Sequence, residues 1–87
     1  MRSGDIVRHR PTGEKWTVAF VDGDDLVPCG WPLSYARPAD CDLIRAASDA
    51  ECNSMIARLA AMNDESDARC RYGRRMLTRE DQPQENK

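Results

Sequence analysis

The chain has no apolar run long enough to cross a bilayer, and its first ten residues, "MRSGDIVRHR", lack the apolar stretch of a secretory signal. An intracellular, cytoplasmic protein with no membrane contact is the expectation. Cysteines in that compartment stay reduced, so the even count of four does not imply disulfides. Cys29, Cys41, Cys52 and Cys70 are all farther apart than the close pairs that zinc knuckles and ribbons use to place two thiolates on one ion. His9 with Cys29 and Cys41 is a grouping that a small fold can draw together, but buried apolar thiols account for those cysteines more simply. No metal and no cofactor is expected. The chain has a single histidine, no G-x-S-x-G elbow and no local cysteine–histidine signature, so it lacks the usual platforms for nucleophilic catalysis. It is not expected to be an enzyme. Positive charge is also in short supply: a net charge of −2 does not give the field of a dedicated nucleic-acid binder. The last residues, "TREDQPQENK" (78–87), contain nothing apolar and are expected to be disordered.

What is present is one domain of 87 residues, near the lower size at which a single apolar core holds a fold. Its first half alternates short apolar segments with turn residues. "GDIVRH" (4–9) predicts a strand and "RPTGE" a turn. "KWTVAFV" (15–21) shows a period of two, with Trp16, Val18 and Phe20 on one face and Lys15, Thr17, Ala19 and Val21 on the other. "LVPCGW" (26–31) predicts a third strand with Val27, Cys29 and Trp31 on one face, and Pro28 places it at an edge or at a bulge. "ADCDLI" (39–44) predicts a closing strand that returns Cys41, Leu43 and Ile44 to the core. Short strands joined by tight turns over residues 1–47 predict a small, bent antiparallel barrel.

Gly4, Asp5, Val7, Thr17, Val18, Cys29 and Trp31 together resemble the YodC-like group of short, mostly uncharacterised bacterial and phage proteins. In that group a GDxV strand is followed by a TV strand and then by one carrying a cysteine and a tryptophan. The resemblance covers about the first half of the chain and implies an SH3-like barrel, a fold reused for binding proteins, peptides and nucleic acids. The chain departs from that pattern at "PLSYARPAD" (32–40) and throughout the segment from Ser48.

Residues 48–77 read as helical. "SDAE" (48–51) is a capping box, and Cys52, Met55, Ile56, Leu59 and Met62 recur at intervals of three and four, predicting a helix over 49–62 with one apolar stripe. "NDES" (63–66) interrupts the stripe. Cys70, Gly73 and Leu77, or Tyr72 and Met76, supply a second helical face. Two antiparallel helices would hide the stripe within one chain, whereas one long helix would expose it and favour a homodimer; the break is the preferred reading. The stripe is expected to cover the barrel or a second subunit. The fold class is therefore α+β, a small SH3-like barrel followed by one or two helices.

Two residue groups point to a task. Arg69, Arg71, Arg74, Arg75 and Arg79 crowd the second helical segment, with Arg71, Arg75 and Arg79 in one row and Arg74 beside it. Such a row binds phosphates or an acidic protein surface, although acids early and arginines late is also how a soluble helix complements its own dipole. Trp16, Phe20 and Trp31 are expected in the core, and Tyr35, flanked by prolines, on the surface. The leading expectation is a non-catalytic module that binds a protein partner through Tyr35, Arg71, Arg74, Arg75 and Met76 on a larger bacterial or phage complex. Inhibition of host defence is one form this would take. The alternative is a nucleic-acid-binding accessory factor that uses Arg69, Arg71, Arg74, Arg75 and Arg79.

Overall fold

The structure, a computed structural model, describes residues 1–29 and 35–81. Its elements are β1 (Ile6–His9), β2 (Glu14–Asp22), β3 (Asp25–Pro28), β4 (Cys41–Arg45), α1 (Asp49–Ala60) and α2 (Ala68–Asp81). A short 3-10 turn, Pro38–Asp40, leads into β4. The chain is thus α+β, as the sequence predicts. No helix among the described residues is long and apolar enough to cross a membrane.

The four strands form an antiparallel sheet in the order β3-β2-β1-β4, and among the described residues it does not close into a barrel. Closure would require the two outer strands to pair. The edge of β3 is instead occupied by Ala36, which exchanges two backbone hydrogen bonds with Leu26 at 2.8 and 2.9 Å, while β4 keeps an open edge. Pro28, which has no N–H to offer a neighbour, sits at the end of that edge strand, as its chemistry demands.

The nine-residue β2 serves two partners, pairing with β1 over Glu14–Thr17 and with β3 over Val18–Asp22. Between Val18 and Phe20 the register slips and Ala19 is the extra residue. A bulge of this kind reverses which way the following side chains point. The strict alternation expected over 15–21 therefore fails. Val18 packs with Val7, Leu26 and Cys41 on one face of the sheet, with Trp16, Val21 and Ala36 at its border. Ala19 and Phe20 pack with Val27, Met55 and Leu59 on the other. One bulge gives a four-stranded sheet two apolar faces.

The helices cover the second face. Ser48 accepts from the Glu51 amide at 3.1 Å while the Glu51 carboxylate accepts from the Ser48 amide at 2.9 Å, so the capping box forms as the sequence predicts. Of the predicted stripe, Met55, Ile56 and Leu59 are buried, and Cys52 and Met62 are half-buried. The chain then breaks over 61–67, so the alternative of one long helix is excluded. Asp67 starts α2 by accepting from the Arg69 amide at 2.8 Å. That helix runs to Asp81, four residues beyond the apolar pattern, so the expected disordered stretch begins inside a helix. The remainder of the expected tail, and Trp31, lie outside the described residues.

Leu43 and Ile44 are also displaced from expectation. They are 50% and 46% exposed, because β4 is an edge strand with only Cys41 turned fully inward. The entry of the chain is held more firmly. Asp5, 3% exposed, accepts from the Ala47 amide at 2.7 Å and the Arg2 amide at 2.9 Å, latching the turn before β1 to the junction between β4 and α1. Gly4 makes that latch possible, with φ of 90° and Ala47 Cβ only 3.0 Å from where a side chain would begin.

Candidate functional site

The arginines of α2 divide by what each already holds. Arg74 lies across the end of α1, donating from Nε to the Ala60 carbonyl at 3.1 Å and from Nη2 to the Met62 carbonyl at 2.9 Å, with Nη1 on Glu65 at 3.0 Å. The Ala60 carbonyl is one of the acceptors that a helix leaves without intrahelical partners at its C-terminus, and the Met62 carbonyl lies just beyond it. The guanidinium satisfies them and complements the negative end of the helix. Arg69 forms a two-pronged pair with Asp67, at 3.0 Å from Nε and 2.7 Å from Nη2, with only 18% and 11% of the two side chains exposed. Arg74 is therefore committed to tying the two helices together, and Arg69 to the start of α2. Met76 is half-buried, and α2 carries Arg79 in its last turns.

Arg71 and Arg75 are placed differently. With Tyr35 they line a concave site of ≈ 240 Å³ whose other walls are Phe20, Asp22, Asp25, Ala68 and Tyr72. Phe20 and Tyr72 stack with ring centroids 4.5 Å apart and planes 11° apart, forming the floor. Arg75 lies over the Tyr72 ring at 5.3 Å and reaches Asp22 on the opposite wall at 3.4 Å. Arg71 donates to the Glu65 carbonyl at 3.0 Å. Tyr35, 57% exposed, forms the rim, in keeping with its position between prolines. The structure thus brings together Tyr35, Arg71 and Arg75 and sets Arg69 and Arg74 apart. Sequence reasoning missed Asp22, Asp25 and Tyr72. The bulge at Ala19, which turns Phe20 toward α2, is what puts Tyr72 on the floor, and nothing in the local pattern announces it.

The thiols are packing groups. Cys29 stands against Met55 on the helix side of the sheet, with its Sγ 3.6 Å from the methionine sulfur, whereas Cys41 belongs to the cluster on the other face. Burial pushes both thiols up from their ordinary range, the effect on Cys29 being opposed by Arg58 and Arg69. The grouping of His9, Cys29 and Cys41 that a small fold can draw together does not form. Register sets His9 opposite Cys41, but its ring stacks on Trp16 with centroids 4.3 Å apart and its Nδ1 lies 2.9 Å from Thr12 Oγ1. No group of three metal-ligating side chains gathers among the described residues.

The Asp67–Arg69 pair gives a pH prediction. The guanidinium holds the Asp67 carboxyl below the usual carboxylate range, with the Arg69 backbone amide adding to the effect. A folded-state pKa below the unfolded one means that the unfolded chain binds more protons between the two values, so stability falls as pH drops through that interval. The contribution is fully present above about pH 4, the usual range for aspartate. Urea titrations at pH 7 and pH 3 should show Asp67→Asn destabilised at the higher pH and much closer to the parent at the lower.

Compared with models of known protein families, with curated proteins and with solved structures, the chain matches none. Five of the residues behind the expected resemblance have structural duties here: Gly4 and Asp5 form the entry latch, Val7 and Val18 fill one face of the sheet and Cys29 borders the other.

Proposed function

We propose that this is a non-enzymatic module that binds a protein partner through the concave site between the β2–β3 hairpin and α2. The observation that supports this reading is the composition of one concavity. An aromatic stack, an exposed tyrosine, two arginines and two aspartates converge from three parts of the chain. Tyrosine and arginine around a partly desolvated pocket are the residues that carry most binding energy in protein interfaces. Both signs of charge are present, which suits a partner surface of mixed polarity. The partner would be part of a larger bacterial or phage complex, and inhibition of host defence is one form that such binding would take.

The nucleic-acid reading is less well supported. Arg69 and Arg74 are spent inside the fold, and Asp22 and Asp25 line the same concavity as Arg71 and Arg75, so a phosphate backbone would meet carboxylates there as often as guanidinia.

Parallel affinity purifications from the native host test the proposal. The parent should retain a stoichiometric protein partner, and Tyr35→Ala/Arg75→Glu should lose it while keeping the parent's circular dichroism and melting temperature within about 2 °C, as expected of exposed positions. A partner retained by the double variant, or duplex DNA bound at about 0.15 M salt with affinity lost on the same substitution, would refute it.

A further inference from the structure

The rest of the helix-bearing face of the sheet, formed by β1, β2 and β4 and separate from the site just described, is a second candidate surface, and it is basic. On this face Ile6 stands opposite Thr17, Arg8 opposite Lys15 and Arg45 opposite Ile6, since alternate residues of a strand share a side. The helices pack on the other half of the sheet, where Ala19, Phe20 and Val27 lie, so this half is left with α1 only along its flank. Between them is an open groove of ≈ 400 Å³. Ile6, Ala50 and Met55 supply its apolar lining, and Arg45 and Arg58 stand at its border.

The charges on this face are unequal in what they have left to offer. Glu51 is engaged by the Ser48 amide and by Arg45 at 3.0 Å, and Asp42 is engaged by Arg10. Lys15 is exposed, as is Arg58, and the side chain of neither makes an ion pair or hydrogen bond with any described residue. One uncommitted cation, Arg58, therefore lines the groove with the paired Arg45 and Glu51, and register puts a second, Lys15, two residues along β2 from the lining Thr17 with Arg8 opposite it.

We infer that this groove takes an acidic segment of a partner protein, one apolar side chain seated against Ile6, Ala50 and Met55 with neighbouring carboxylates on Arg58 and Lys15. Charge complementarity selects the acidic segment. A methionine in the lining adapts to side chains of more than one shape. A single-stranded nucleic acid is the poorer occupant, because this face presents no aromatic ring on which a base could stack: Trp16 points to the opposite side of the sheet. The overall charge of −2 also works against long-range attraction of a polyanion. This surface is separate from the Tyr35 concavity, and its test is independent of the reading given to that site.

The probe is a synthetic peptide with one leucine flanked on each side by two glutamates in a glycine–serine background, titrated into the isotopically labelled full chain and followed by amide chemical shifts. Saturable shifts should map to Ile6, Thr17, Arg45, Ala50, Ser54 and Arg58. Affinity should fall at least about fivefold in Lys15→Glu/Arg58→Glu, the effect expected when two exposed charge contacts are reversed. Tyr35→Ala should leave it unchanged. Peptides with glutamine for glutamate, or alanine for leucine, should bind correspondingly less; these two arms decide the matter even if the double variant folds poorly. Absence of saturable shifts, equal binding of the glutamine or alanine peptide, or tighter and steeply salt-dependent binding of a DNA duplex at the same face would overturn the inference.

Discussion

Gly73→Ala is expected to lower the melting temperature by about 10–20 °C, the largest effect of any single methyl group in this protein. A Cβ at position 73 would lie 2.4 Å from the Ala60 nitrogen, 2.8 Å from the Leu59 carbonyl carbon and 2.7 Å from Leu59 Cβ. Two of those three atoms are backbone of α1, which no rotamer change can move. The helices would have to part, loosening the contacts of Leu59 and of Cys70, whose Sγ donates to the Met62 carbonyl at 3.1 Å. Alanine has the better helix propensity by about 1 kcal/mol, so an exposed glycine replaced in this way would stabilise. Overpacking costs typically 1–3 kcal/mol and more where backbone must shift, and here it wins by about 2–3 kcal/mol. Calorimetry on the single variant decides the sign: an unchanged or higher midpoint would mean that the helices do not approach as closely as described.

Asp5→Ala should be comparably damaging, at about 2–3 kcal/mol, because it strips the acceptor from two backbone amides at once. The Ala47 amide has its residue almost wholly buried, at 5% exposure, and has no other partner among the described residues. A buried donor left unpaired costs about 1–3 kcal/mol, and a hydrogen bond to a carboxylate contributes more than one to a neutral group. Arg2 would lose its amide contact too, leaving the turn attached to the Ala47 carbonyl and Asp49 through the guanidinium alone. Because residues 5 and 47 are far apart in sequence, the loss falls on the docking of α1 against the sheet rather than on a local turn. Asp5→Asn keeps one acceptor oxygen but turns an amide NH2 toward a backbone donor, so it should recover about half of the stability. Urea midpoints for the three proteins test the ordering Asp, Asn, Ala; an alanine variant as stable as the parent would show that the latch contributes nothing.

Several features were legible locally. The capping box at Ser48, the interruption at 63–66, the edge position implied by Pro28 and the exposure of Tyr35 each follow from a residue's own backbone or hydrogen-bonding chemistry, and each is found. Leu43 and Ile44 misled because apolar character says that a side chain gains from burial, and an edge strand does not always provide it. The candidate site was half legible. Tyr35, Arg71 and Arg75 could be singled out by type, whereas Arg69 and Arg74 look identical in sequence and differ only in having Asp67 or the end of α1 within reach.

The sequence by itself determined the kinds of element and their order, short strands followed by a capped helical segment with a preferred break, because period, capping and turn chemistry act over a few residues; that the break yields two helices came from the structure. Only the tertiary structure decided that the sheet stays open, that Ala19 is the residue at which it changes face, and that Gly73 must stay small. Each of those depends on a contact between segments distant in the chain, where sterics and hydrogen-bond pairing between partners, and not the preference of either alone, set the outcome.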